Sequence, residues 1–226
     1  MTIAALARPV PERISPFLGF RQEAPVEFLP AGIGSFDRLL GGCPRGRVSE
    51  ISGPASSGRT SLLHKILAAA GERGEYCALA DAAGSFDPVT AEASGVSLDT
   101  LVWVRCGGNI EHAMKAADLL LHSGGFGVVA LDLCGLEARH ARRIPAAYWH
   151  RFRRAVENSS AAFVVVGEEP WAGSCASVSA TMSRVEARFT GRNPRYLLEG
   201  ATYQAAARKP FRPGEASFDV EALHAA

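Results

Sequence analysis

The run Gly53-Pro54-Ala55-Ser56-Ser57-Gly58-Arg59-Thr60 carries the residue types and spacing most suited to chemistry in this chain. It fits G-x-x-x-x-G-K-[ST], the pattern of a phosphate-binding loop, at every fixed position except the lysine, where Arg59 stands. Glycines at both ends let the backbone curl so that consecutive N–H groups point at phosphate oxygens, and the start of a following helix adds partial positive charge. Gly53, Ser56, Ser57, Gly58, Arg59, Thr60 and Ser61 are the candidate phosphate ligands, and Thr60 would offer its hydroxyl to magnesium if a nucleotide binds. Arginine keeps the charge of lysine but replaces a compact ammonium with a planar fork that needs more room between phosphates. Binding survives such a change more readily than transfer geometry. A Gly- and Ser-rich strand-to-helix turn that binds nothing is the alternative reading of the same residues.

That loop needs a strand before it and a helix after it, and both are legible. Short apolar runs predict strands at Val48 to Ser52, Tyr76 to Asp81, Leu101 to Arg105, Val128 to Asp132 and Phe163 to Gly167. Helix patterns fall between them, at Ser35 to Leu40, Thr60 to Ala70, Val89 to Ala93, Asn109 to Ser123 and Ala146 to Asn158. In the fourth of these, Asn109 is a capping residue, Ala113, Ala116, Ala117, Leu120 and Leu121 keep helical spacing, and Gly124 and Gly125 stop the helix. The alternation predicts an α/β fold, a mostly parallel twisted sheet with helices on both faces. After Gly173 the pattern becomes strands joined by turns at Gly191 to Pro194 and Arg212 to Glu215, an antiparallel C-terminal extension. Asp132 closes an apolar strand, as does the carboxylate that holds magnesium through water in nucleotide-binding folds. Residues 1–27 contain Pro9, Pro11, Pro16 and Pro25 with little periodicity and read as an N-terminal arm, with the core domain over residues 28–226.

Composition narrows the function classes. The 24 basic and 23 acidic residues leave a net charge of +1, so no global field draws nucleic acid or a membrane surface. No window approaches the ~18 uninterrupted apolar residues of a membrane span, and the start lacks a signal-peptide core, which points to the cytoplasm. The five cysteines show neither zinc nor thioredoxin-like spacing and read as buried thiols, and the six histidines show no metal-ligand spacing. Ser174 and Cys175 lack a base and an orienting group in sequence, so no catalytic residue is assigned.

The stretch from Ile33 to Gly42, then Pro44, Gly46, Arg47, Val48, Glu50 and Ile51, and then Gly53-Pro54 with Ser56-Ser57-Gly58, resembles the entry segment and P-loop of RecA-type recombinases. Asp81-Ala82, Asp87-Pro88 and Gly95-Val96 continue the likeness, which runs from about Phe28 to Val220. The resemblance implies a RecA-like P-loop core binding ATP and magnesium, with Asp87 contacting adenine and Asp132 as the second magnesium residue. It also marks departures. RecA enzymes carry a glutamate after the Asp-Ala pair to activate water, and Ala83 stands there. The aromatic that stacks on the base is replaced by Thr90, and the segments that would line DNA, Leu133 to Pro145 and Glu168 to Trp171, are short. Arg208-Lys209-Pro210-Phe211-Arg212 resembles the basic turn with which RecA protomers reach a neighbour's ATP.

Lost catalytic groups and shortened loops, with Ala146 to Glu157 and Ala172 to Ala176, make the chain similar to the ImuA family, RecA-like accessory proteins of bacterial mutagenesis cassettes. That resemblance implies a part in the SOS response and translesion synthesis through contacts with RecA, an inactive Y-family polymerase and an error-prone polymerase. ATP and magnesium binding is then expected to be weak or absent. Arg139, Arg142, Arg143, Arg151, Arg153 and Arg154, interleaved with His140, Tyr148, Trp149 and His150, form the densest basic and aromatic cluster. It reads either as the solvated face of a helix that buries Trp149, Phe152 and Val156, or as a weak DNA contact through Arg142, Arg143, Arg151 and Arg154. An active DNA-dependent ATPase of recombination and an SOS cell-division inhibitor remain as rival functions.

Overall fold

A computed structural model describes residues 26–136, 144–192, 195–210 and 214–222. Nearly all of the arm, and Arg139, His140, Arg142, Arg143, Phe211 and Arg212, fall outside these. The elements run β1 (Phe28–Leu29), α1 (Gly34–Leu40), β2 (Cys43–Pro44), β3 (Val48–Ser52), α2 (Arg59–Glu72), β4 (Cys77–Asp81), α3 (Pro88–Ala93), β5 (Leu101–Arg105) and α4 (Ile110–Ser123). They continue through β6 (Val128–Asp132), α5 (Ala146–Glu157), β7 (Ala162–Gly167), β8 (Ala176–Arg192), β9 (Arg195–Lys209) and β10 (Glu215–Glu221).

Eight strands form one sheet in the order β10-β9-β8-β3-β7-β6-β4-β5. The six from β8 to β5 are parallel, and β9 and β10 add antiparallel at one edge. This is the predicted fold class. The central strands β3, β4, β6 and β7 are buried along their whole length, as parallel strands covered on both faces must be. Alternation of side chains splits them between two cores. Ile51, Leu79, Val164 and Val166 meet Leu62, Leu63, Ile66 and Leu67 of α2 on one face. Val129, Leu131, Phe163 and Val165 meet Met114 and Leu121 of α4 and Phe152 and Val156 of α5 on the other.

Local chemistry explains the helix boundaries. The Asn109 side chain accepts from the N–H groups of Glu111 and His112, at 2.9 and 3.2 Å, and Gly124 ends α4 with φ of 69°. Pro88 stands in the first turn of α3, where its missing N–H costs nothing. The short antiparallel pair β1–β2 escapes sequence reading because two residues per strand show no periodicity. All five cysteines are free and buried, and no described helix is long and apolar enough to cross a membrane.

Candidate functional site

The C-terminal ends of β3, β4, β6 and β7 lie side by side, with Ser52 opposite Gly167 and Asp81 opposite Asp132, so the loop after β3 and both aspartates meet at one sheet edge. Ligands of open parallel sheets bind at that edge. The loop has the backbone its glycines require: Gly58, the residue before α2, is left-handed with φ of 86°, and Ser56 is the one non-glycine residue with positive φ, 59°, among the described residues. Pro54, Ala55, Ser56 and Thr60 are exposed, whereas Gly53, Ser57, Gly58 and Arg59 are buried. Ser61 is half-buried in the first turn of α2.

Two polar atoms in the loop, Ser57 Oγ and Arg59 Nη1, are buried without a hydrogen-bond partner. An orphaned hydroxyl and an orphaned guanidinium nitrogen, beside N–H groups at a helix start, fit an anion of phosphate chemistry. The residues thus suit a phosphate group, and an ATP phosphate chain would supply the charge they lack.

The fit to magnesium is thinner. Thr60 and Asp132 are the donors, and no group of three or more His, Cys, Asp or Glu residues able to hold a metal occurs among the described residues. Asp132 is buried, accepts from Cys134 N–H at 2.9 Å and lies 3.4 Å from Ser85 Oγ. Burial pushes its carboxyl up from the usual range, hydrogen bonding to Cys134 opposes the shift, Asp81 adds to it and the positive charge of Arg59 offsets part. The positive charge of Arg59 is thus near enough to act on the Asp132 carboxylate.

Asp81 organises the neighbouring loop. Its two oxygens accept from the N–H groups of Gly84, Ser85 and Phe86, at 2.8, 3.0 and 3.1 Å, and from Trp103 Nε1 at 3.2 Å. Ala83 rests against the turn after β6, where a Cβ placed on Gly135 would stand 3.3 Å from its methyl. The position expected to activate water thus lies beside Asp132 and carries a methyl group. Asp87 caps α3: its carboxylate accepts from Thr90 N–H at 3.0 Å and from the Thr90 hydroxyl. These two contacts hold the Asp87 carboxyl below its ordinary range.

Beside the loop, a cavity of about 390 Å³ is bounded by Thr60, His64 and Lys65 of α2, Thr90 of α3 and Leu198 and Tyr203 of β9. Tyr203 was not foreseen. A Cβ on Gly58 would come within 2.5 Å of its ring, so the aromatic lies flush on the loop. No local pattern announces a residue so far along the chain; only the position of β9 brings it there. His64 was also missed. It is buried, its Nε2 has no partner, and its ring meets Phe86 edge-on at 5.7 Å. A larger groove of about 1070 Å³ lies between α4 and α5, but it contains none of the loop residues and is not the site indicated by the chemistry.

The remaining basic candidates divide. Arg151 pairs with Asp118, and Arg153 with Glu157 at 2.8 Å, as expected for a solvated helix face, while Arg154 is exposed with no ion pair among the described residues. Lys209 Nζ donates to the carbonyls of Gly173 and Ala176 at 2.6 and 3.2 Å, and Arg208 Nε to Thr181 Oγ1 at 3.1 Å. Both thus bind their own protomer. Glu50, buried in β3, accepts the N–H groups of Trp171 and Ala172 at 2.6 and 2.5 Å and so pins the segment after β7.

Comparison with known proteins follows this geometry. The profile of the RecA N-terminal domain matches residues 14–140. The RecA protein of Methylococcus capsulatus is 43% identical over 109 residues, covering 47% of this chain and 31% of that protein. The RecA protein of Bifidobacterium longum is 40% identical over 117 residues, covering 51% of this chain and 29% of the relative. For Deinococcus radiodurans RecA the identity is 42% over 117 residues, covering 51% and 32%. The matched stretch is thus less than two thirds of each relative's length. With more than half of its residues matched, and a parallel core that presents the phosphate-binding loop and both aspartates at one edge, the chain belongs to the RecA N-terminal domain family.

Proposed function

We propose that this chain is a RecA-like accessory protein of the bacterial DNA-damage response that acts in translesion synthesis through protein contacts, with little or no ATP hydrolysis. Its partners in this reading are RecA, an inactive Y-family polymerase and an error-prone polymerase. The observation that carries the proposal is the pairing of a preserved backbone cradle with changed side chains. Arg59 is buried with its charge acting on Asp132, and a methyl group stands at Ala83, beside the turn that follows Asp132. A water-activating group contributes about two to four orders of magnitude in rate, and a methyl group contributes none of it. The segment that follows β7 opens with Glu168 and Glu169, whose charges disfavour a phosphate backbone.

The rival reading, an active DNA-dependent ATPase, draws on the same cradle, since Ser57 Oγ and Arg59 Nη1 are buried and unpartnered. Phosphate release measured with and without single-stranded DNA separates the two. The expected result is no stimulated turnover, together with retention of RecA and the polymerase pair on the immobilised protein. DNA-stimulated turnover, or an ATP dissociation constant in the low micromolar range, would sink the accessory reading.

A further inference from the structure

β8 and β9 run far past the sheet that supports them. β3 pairs with β8 only as far as Thr181, and β10 pairs with β9 only from Gly200 to Ala206. Beyond Thr181 no described strand pairs with the outer edge of β8, and Glu186 to Arg192 stand opposite Thr202 to Arg195 in a ribbon that, among the described residues, lacks a neighbour on both sides only from Phe189 to Arg192 and from Arg195 to Leu198. Five of the ten exposed large hydrophobic residues among the described residues lie on this ribbon: Val185, Phe189, Tyr196, Leu197 and Leu198. A two-stranded ribbon is marginal in water, and an apolar strand with an open edge is a template for another strand.

The sequence along that edge indicates which strand fits. A bulge at Val185 interrupts β8, and the register shifts again between Arg188 and Phe189, where the skipped residue is Glu199 of β9; Glu186 to Arg192 of β8 therefore run without an inserted residue, with Phe189 at their midpoint. Ala187, Phe189 and Gly191 lie on one face, and Glu186, Arg188, Thr190 and Arg192 on the other. We propose that this edge pairs antiparallel with the same edge of a second copy of the chain, about a two-fold axis through Phe189.

Glu186 then stands opposite Arg192 of the second copy, Ala187 opposite Gly191, and Arg188 opposite Thr190. Phe189 faces itself, and because Leu198 is its partner across the ribbon, an apolar row Leu198-Phe189-Phe189-Leu198 crosses four strands. Shifting the axis by one residue either way sets arginine against arginine. Moving it to Ala187 runs the pairing into the bulge and calls on Arg188, whose Nη1 already binds Asp219 at 2.9 Å. Glu186 and Arg192, by contrast, make no ion pair among the described residues. The interface is isologous and closes as a dimer.

Sedimentation equilibrium of the full chain tests this. Wild-type protein should show a concentration-dependent monomer–dimer equilibrium. Glu186→Arg and Arg192→Glu should each weaken it by about tenfold, because two like-charge pairs replace two attractive ones. The double variant should restore the dimer, as should an equimolar mixture of the two single variants. Circular dichroism should report unchanged folding in every case, since both side chains are exposed. Protein that remains monomeric at its highest soluble concentration, or a dimer indifferent to both reversals, would overturn the proposal.

Discussion

In the accessory reading proposed above, Arg59 and Ala83 each remove a different part of what hydrolysis needs, which makes their effects separable. Arg59→Lys should tighten ATP binding by about tenfold, read by calorimetry, because a compact ammonium fits between phosphates where a fork does not. It should leave turnover at background, and only the combination with Ala83→Glu should produce measurable phosphate release. Glu50 has a structural task. Glu50→Ala strands two buried N–H groups and should cost about 2–4 kcal/mol in urea denaturation, while Glu50→Gln keeps an acceptor and should cost far less. Burial raises the Glu50 carboxyl pKa above its ordinary value, against the N–H groups of Ala172 and Trp171 and the charge of Lys209. The native state therefore binds this proton more tightly than the unfolded chain. Its contribution is largest below the ordinary glutamate range, falls as pH rises toward the raised value, and is constant above it. Asp132 acts with the same sign, so the slope in Glu50→Gln should be shallower without vanishing.

Helices α4 and α5 show two ways of stabilising an element. Helix α4 is capped at both ends, and Asn109→Ala should cost about 1 kcal/mol. Helix α5 follows Pro145 with no side-chain cap, and its place is fixed by Trp149, Phe152 and Val156. Phe152 has no exposure and packs against Phe163 at 5.3 Å and Trp149 at 5.9 Å, so Phe152→Ala should cost about 3–5 kcal/mol in the same denaturation assay. Gly58 couples the loop to β9. Alanine there meets both a left-handed backbone and the Tyr203 ring. Gly58→Ala should be strongly destabilising, and adding Tyr203→Ala should recover only the steric part, leaving the backbone strain of about 1–2 kcal/mol.

Across the whole molecule, burial is concentrated in β3, β4, β6 and β7 and thins toward the ribbon. Native-state hydrogen exchange should find β7 amides opening only with global unfolding, whereas those of residues 195–198, where β9 has no β10 neighbour among the described residues, should exchange orders of magnitude faster. The same gradient separates the two surfaces of functional interest. The phosphate cradle sits on the rigid end of the sheet, and the proposed dimer edge on its most lightly supported strands. Loss of one need not disturb the other.

The sequence by itself determined the fold class, because apolar runs of strand length alternating with amphipathic stretches allow few other arrangements, and it located the loop, because glycine and hydroxyl residues at fixed spacing have a local backbone meaning. Helix α5 and its buried face were legible for the same reason: Trp149, Phe152 and Val156 repeat at helical spacing. Tertiary structure alone decided the rest. That Tyr203 lies on Gly58, that Glu50 holds the segment after β7, and that Lys209 is spent on Gly173 and Ala176 all follow from strand order, which leaves no periodic trace. The length of the unsupported ribbon was hidden for a like reason. A strand's own residues record its two faces, but which neighbours cover its edges depends on residues far away in the chain.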